Sequence, residues 1–369
     1  MVSSTAVPTA SERTAVRFRK GLRSRVESPQ SLLVTGGAGF IGANVVDRAL
    51  SAGRRVTILD DLSRPGAEEN IRWLRERHGE AFRLIIRSVV DEDACERAVD
   101  EAEVVYHLAA QVAVTTSVEN PRHDFDVNVR GTFNLLEAIR NSSHHPVMLY
   151  ASTNKVYGDL AHHPTIEEET RHRFRDLPEG VTEAEPLDFH SPYGCSKGAG
   201  DQYVHDYARI YGLRTVVFRQ SCIYGPRQMG VEDQGWAAWF AIAAMSGRQI
   251  TIYGDGKQVR DLLYIDDLIE AYDTTLAHLD VTGGKVYNLG GGAENALSIW
   301  WEFGPMLEEA IGREFPAPSF APERPGDQPV FIADTARFRG DTGWTPEVSV
   351  QDGLARLTRW IDDNRALFD

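Results

Sequence analysis

Residues 31–42 read SLLVTGGAGFIG, and the interpretation of the whole chain turns on them. Ser31 to Thr35 is a short apolar run of strand character. Gly36, Gly39 and Gly42 follow at the spacing G-x-x-G-x-x-G, and Ile41, Val45, Val46, Ala49 and Leu50 then recur at helical spacing. A strand that turns on glycines into an amphipathic helix is the pattern of a dinucleotide-binding unit. Gly36 permits a tight turn. Gly39 lets a pyrophosphate approach the amides at the helix N-terminus, and Gly42 lets the helix pack closely. Glycines alone are weak support, but the next apolar run, RVTIL over 55–59, ends on Asp60. A carboxylate at that point takes both hydroxyls of an adenosine ribose and repels a 2′-phosphate, which favours NAD over NADP. Asp61 adds to the repulsion, and Arg64 reads as an exposed loop arginine.

Outward from this stretch, FRLII (82–86), EVVYHLA (103–109), PVMLYAS (146–152) and RTVVFR (214–219) are further apolar runs. Helical patterns separate them, including 124–140. Strands that are nearly all apolar, alternating with helices, form a parallel sheet covered on both faces. The fold class is therefore α/β, a Rossmann-type doubly wound parallel sheet. After about residue 220 the rhythm breaks. QGWAAWFAIAAM and SIWWEFGPMLEEAIG read as helices of a smaller C-terminal lobe, with Trp236, Trp239, Trp300 and Trp301 mostly in its core. The expected organisation is a disordered tail over 1–30, a dinucleotide-binding domain over 31–220 with later segments returning to it near 256–290, and a substrate-binding lobe over 221–369.

Composition bounds the function. A net charge of −15 argues against a nucleic-acid partner. No apolar run approaches the roughly 20 residues of a membrane span. Cys95, Cys195 and Cys222 are widely spaced and include no C-x-x-C pair, which suggests neither a disulfide framework nor a zinc site and makes a cytoplasmic setting the default. His144–His145 and His162–His163 are adjacent pairs that bring no carboxylate or cysteine of their own, so no metal site is read.

The chemistry lies in two later segments. In HSPYGCSKGAGDQYVHDYARIYG, Ser191 is placed as the N-cap of a helix and Pro192 in its first turn. Tyr193 and Lys197 are then at i and i+4 on one face, with Cys195 between them as a small packed thiol. A free phenol with a pKa near ~10 is a poor base at neutral pH, and a neighbouring ammonium together with a positive nicotinamide favours the phenolate. Lys197 is also placed to bind a nicotinamide ribose. The second segment is YASTNKVYG (150–158), a strand that ends in the hydroxyls of Ser152 and Thr153, the amide of Asn154 and the ammonium of Lys155.

Taken with TGGAGFIG, LD, HLAAQVA, VNVRGT, YGCSK, YGPR, VRDLLYIDD and RPGD, these segments resemble the extended short-chain dehydrogenase/reductase family of nucleotide-sugar enzymes, over roughly 31–369. The resemblance implies a catalytic triad of Thr153, Tyr193 and Lys197. It implies bound NAD held by Gly36, Gly39, Phe40, Ile41, Gly42, Asp60, Ala109, Ala110, Tyr193 and Lys197. It makes 221–369 a sugar-nucleotide-binding lobe and assigns Thr153, Asn154, Arg260, Arg324 and Asp327 to the substrate, the arginines to its diphosphate and Asp327 to its ribose. Arg219 and Arg227 stay open between a ligand contact and a surface ion pair. Sugar 4,6-dehydratases of this family carry Thr-Asp-Glu before VYG, and here Asn154 and Lys155 replace the acid pair, so epimerisation is the expected chemistry. ASTNKVYGDL, DDLSRPGAEENIRWL and YGPRQMGVEDQGWAAWF are closer still to the subfamily of CDP-paratose 2-epimerases. That implies C2 epimerisation of a CDP-deoxyhexose, and a homodimer or homotetramer. Ser88, Cys222 and Tyr264 stand where relatives often carry Asp, Asn and His. The alternatives are a UDP-sugar 4-epimerase, a nucleotide-sugar 4,6-dehydratase, or an NAD-binding sensor without catalysis.

Overall fold

The computed structural model describes residues 30–323 and 327–368. The tail read over 1–30 (Gln30 apart) and Arg324 lie outside the described residues. Seven parallel strands form the main sheet: β1 (Ser31–Thr35), β2 (Arg55–Asp60), β3 (Phe82–Ile86), β4 (Val104–His107), β5 (Val147–Thr153), β6 (Thr215–Gln220) and β7 (Val286–Leu289). Their order across the sheet is β7-β6-β5-β4-β1-β2-β3, the doubly wound arrangement of a Rossmann-type fold. Each expected strand lies within a residue or two of its predicted bounds, and β7 joins the edge from beyond residue 220.

The apolar runs carry no polar alternation because both faces of the sheet are covered. Leu32 and Val34 pack with Val45, Val46 and Ala49 of the helix Phe40–Ser51, while Leu33 packs on the opposite face with Val105 and Met148. Burying such side chains on both faces contributes of the order of 1.5–3 kcal/mol each. The segment 124–140 is helical, with one change of pitch. A π-turn, Asp126–Arg130, joins Pro121–Phe125 to Gly131–Asn141.

Beyond residue 220, Val259–Tyr264 pairs with Cys222–Tyr224, Ala296–Ser298 and Val330–Phe331 in a small mixed sheet. The helices Trp236–Met245, Phe303–Ile311 and Val350–Asp363 pack together beside it. Trp301 departs from the core expectation, with 46% of its surface exposed and its ring stacked on Phe320. Trp236 is half-buried and lines a cavity. No helix among the described residues is long and apolar enough to cross a membrane.

Candidate active site

The C-terminal ends of the main-sheet strands open into a cavity of about 1460 Å³. One end of it is the glycine turn. Gly36 has φ +70°, its amide donates to Leu59 O at 2.9 Å, and a Cβ on it would lie 2.6 Å from the Ala109 nitrogen. The backbone at Ala109 therefore abuts the turn. A Cβ on Gly42 would lie 2.1 Å from Gly36 O, so the helix can pack here only without a side chain. At Gly39, which caps the helix without a side-chain bond, the nearest atom to such a Cβ is Gly36 O at 3.3 Å. Phe40, Ile41, Asp60, Ala109 and Ala110 line the same end. The Asp60 carboxylate accepts from Ala38 N at 3.0 Å and Leu62 N at 2.8 Å. Burial raises its pKa, and those two amides oppose the rise. A glycine turn with this approach, opening onto a carboxylate at the end of β2, fits a dinucleotide. Arg64 is exposed but also lines the cavity, and it donates to Gln234 Oε1 at 2.5 Å.

The middle of the cavity brings together Thr153 at the end of β5 and Tyr193 and Lys197 on the helix Ser191–Tyr211. This helix begins one residue differently from expectation. His190 is the N-cap, and Ser191 is its first residue, with φ +63°. Ser191 Oγ still accepts from Gly194 N at 3.2 Å, so the serine caps from inside the turn. Cys195 is exposed and not packed, because residues 193, 194, 196 and 197 take the buried face.

Tyr193 and Lys197 share that face, and the Lys197 ammonium is turned towards the end of β5. Lys197 Nζ donates to Ala151 O at 2.6 Å and sits 4.3 Å from the centre of the Tyr150 ring. Burial pushes the Tyr193 phenol up to about 12, opposed by its hydrogen bond with Thr153. Burial pushes the Lys197 ammonium down to about 7, against the pull of Asp201 and Asp124. Burial thus favours the neutral form of both groups, and the Arg64 guanidinium is the cation that opposes it at Tyr193.

At the far end, Asn154 donates to Gln328 Oε1 at 3.1 Å, and Asp327 is held by Lys155 at 3.1 Å and Arg260 at 2.7 Å. Burial alone would raise the Asp327 carboxyl, but these two cations hold it well below the usual carboxylate range. Cys222 and Ser88 line the cavity, and Trp236 Nε1 donates to Cys222 Sγ at 3.4 Å. Tyr264 is buried against Tyr224.

Several residues around the site are not among those that the sequence singles out. Asn128, in the π-turn, accepts from Gln111 N at 2.9 Å through Oδ1, and its amide nitrogen lies 3.0 Å from Ser196 Oγ. Ser117 Oγ accepts from Tyr193 N at 3.1 Å. Asn128 lies within VNVRGT, a motif that gives no role to any single residue. Arg219 is neither a surface residue nor part of the cavity wall. It forms a bidentate pair with Asp201 at 2.9 and 3.0 Å in the interior. Arg227 has φ +70° and its guanidinium stands 4.2 Å from the Trp73 ring centre. The His162–His163 pair does have carboxylate company. Glu185 accepts from both rings, at 2.6 and 2.9 Å, from 23 and 22 residues away.

A doubly wound sheet with a glycine turn against its switch point is a dinucleotide-binding α/β architecture. More particularly, residues 32–290 match the NAD dependent epimerase/dehydratase family, and the chain belongs to that family, with NAD as its cofactor. Among its relatives, CDP-paratose 2-epimerase of Salmonella typhi is 44% identical over 336 residues, 89% of this chain and 98% of the relative. UDP-glucose 4-epimerase of Thermotoga maritima, solved with UDP-glucose, superposes with a TM-score of 0.77 at 31% identity, covering 91% of this chain and 99% of that one. The Thermus thermophilus UDP-glucose 4-epimerase, solved with NAD, gives 0.75 at 32% identity, covering 90% and 99%.

Proposed function

We propose that this protein is an NAD-dependent nucleotide-sugar epimerase that inverts C2 of a CDP-activated deoxyhexose by transient oxidation to a keto sugar. The pair of residues after Thr153 supports epimerisation over elimination, and the 44% identity to CDP-paratose 2-epimerase supports the carbon and the nucleotide. Elimination of water needs a carboxyl acid and a base beside the sugar, and these positions hold Asn154 and Lys155. The nearby carboxyl, Asp327, is kept ionised by two cations and is unsuited to donate a proton.

In this reading the glycine turn and Asp60 hold NAD, and Lys197 its nicotinamide ribose. When bound, NAD supplies the acceptor and donor of the hydride, with a positive charge that favours the Tyr193 phenolate. Tyr193 Oη takes the proton from a sugar hydroxyl and later returns it. The Thr153 hydroxyl orients that sugar oxygen, and the burial of both residues excludes water. Residues 31–220, with the strand at 286–289, form the cofactor domain, and the remainder of 221–369 forms the sugar-nucleotide lobe. A UDP-sugar 4-epimerase is the second reading, favoured by the two solved relatives. It differs in which sugar carbon faces Tyr193.

Turnover of a panel of CDP- and UDP-sugars in deuterated water tests this. The expected product is an epimer without deuterium at the inverted carbon. Stoichiometric deuterium there refutes hydride return, and loss of water from the sugar restores the dehydratase reading. Tyr193→Phe is expected to abolish turnover and retain NAD; full activity removes Tyr193 from the mechanism.

A homo-oligomer belongs to the same proposal. Phe133, Tyr203 and Tyr211 are 41%, 46% and 51% exposed on neighbouring helices and join through Tyr207 in one run of edge-on rings. A contiguous exposed aromatic face marks a surface for a second copy. Light scattering of the purified protein is expected to give at least a dimer. The free thiols suit a cytoplasmic setting.

A further inference from the structure

Lys155 and Arg260 converge on a single oxygen. Lys155 Nζ lies 3.1 Å from Asp327 Oδ1 and Arg260 Nη2 lies 2.7 Å from the same atom. The two cations are thus no further apart than the sum of those distances. They come from distant parts of the chain: Lys155 from the turn after β5, Arg260 from the strand Val259–Tyr264. All three residues line the cavity. The guanidinium is fixed from behind, since Arg260 Nη1 donates to Val259 O at 2.7 Å. The chain next to Asp327 is fixed as well. Gln328 accepts from Asn154 at 3.1 Å and donates to Gly158 O at 2.6 Å. Asp327 itself is about a quarter exposed, and the same Oδ1 also accepts from Gln328 N at 3.0 Å.

Two cations brought this close repel each other unless an anion lies between them. An ammonium and a guanidinium aimed at one anionic oxygen are also the donors that recognise a phosphoryl group. The carboxylate occupies the position such an oxygen would take. We propose that Lys155 joins Arg260, which the family resemblance already assigns to the substrate diphosphate, as a second cation on one phosphoryl oxygen, with Asp327 as the resident anion that the diphosphate displaces. The idea rests on the sugar-nucleotide reading and deepens it. It gives Lys155 a binding role that the sequence pattern does not assign, beyond that of a polar wall residue. The competing account is that Lys155 only neutralises Asp327.

The two accounts predict opposite results for Asp327. Calorimetric titrations of the NAD-loaded protein would use inorganic pyrophosphate, CDP and cytidine, with NAD keeping the glycine turn filled. Lys155→Gln is expected to weaken pyrophosphate and CDP by about tenfold or more, the loss of one charge-assisted bond, and to leave cytidine unchanged. Lys155→Arg is expected to retain affinity. Asp327→Asn is expected to tighten pyrophosphate, because the competing anion is gone. Melting temperature and NAD content report on folding of each variant, and the Asp327→Asn result stands by itself if Lys155→Gln does not fold. Unchanged pyrophosphate affinity in Lys155→Gln, weaker affinity in Asp327→Asn, or no binding of pyrophosphate and CDP by the unaltered protein each overturns the proposal. Failure of the epimerase reading is a separate outcome: diphosphate binding with the expected signs, but no turnover of any sugar nucleotide.

Discussion

Replacing Asp201 by Asn removes one charge from a pair with almost no access to water. The side chains of Arg219 and Asp201 are 6% and 0% exposed. The guanidinium makes two bonds to the carboxylate, at 2.9 and 3.0 Å, and a third to Tyr157 Oη at 3.1 Å. Ser152 donates to Asp201 at 2.8 Å, and Tyr157 donates to Asn288 at 2.7 Å. The network therefore ties β5, β6 and β7 to the helix that carries Tyr193 and Lys197. Breaking a buried pair by removing one partner costs about 3–5 kcal/mol, because the other charge stays uncompensated. For a chain of this size that is a fall of roughly 4–6 °C in melting temperature, measured at a fixed saturating NAD concentration. The double variant Asp201→Leu/Arg219→Met is expected to lose much less than the sum of the single changes, since it leaves no orphaned charge. The KM for the sugar nucleotide should change little in any variant that folds. Asp201→Asn melting within a degree of the unaltered protein would refute the reasoning. So would Arg219→Ala raising KM at unchanged stability, which would make Arg219 a ligand contact.

Gly42→Ala places a Cβ 2.1 Å from Gly36 O, against backbone that cannot yield cheaply, and is expected to yield protein that melts lower and purifies with less NAD; normal NAD content would contradict the close packing. Asp60→Ser removes the carboxylate at the end of β2 and is expected to narrow the preference for NAD over NADP in binding titrations, an unchanged ratio placing the discrimination elsewhere. Burial holds His107 neutral, pushed down to about 3, between Thr35 at 2.8 Å and Thr132 at 2.9 Å. The unfolded chain then binds the extra proton first, so its contribution is complete above about 6.5 and is lost as pH falls from there towards 3. The stability advantage over His107→Asn is expected to shrink across that window in melting curves, and a constant difference would refute it.

Where the information is local, the sequence alone determined the outcome. Apolar runs without alternation specify buried parallel strands because both faces of each strand must leave water. Glycines between a strand and a helix specify the turn, since only a residue without a Cβ tolerates φ +70° against Ala109. The i, i+4 spacing placed Tyr193 and Lys197 on one helix face for the same kind of reason. What only the tertiary structure decided is who meets whom at long range. Lys197 reaches Ala151 O across 46 residues, Lys155 meets Asp327 across 172, and Glu185 joins a histidine pair that is unaccompanied in the sequence. Arg219 became an interior ion-pair partner because register places it opposite Ser152, beside the helix bearing Asp201. Periodicity records which face of an element is buried. It carries nothing about which charge another element brings to that face, and in a desolvated interior that partner decides whether a lysine or an arginine holds the fold together or waits for a ligand.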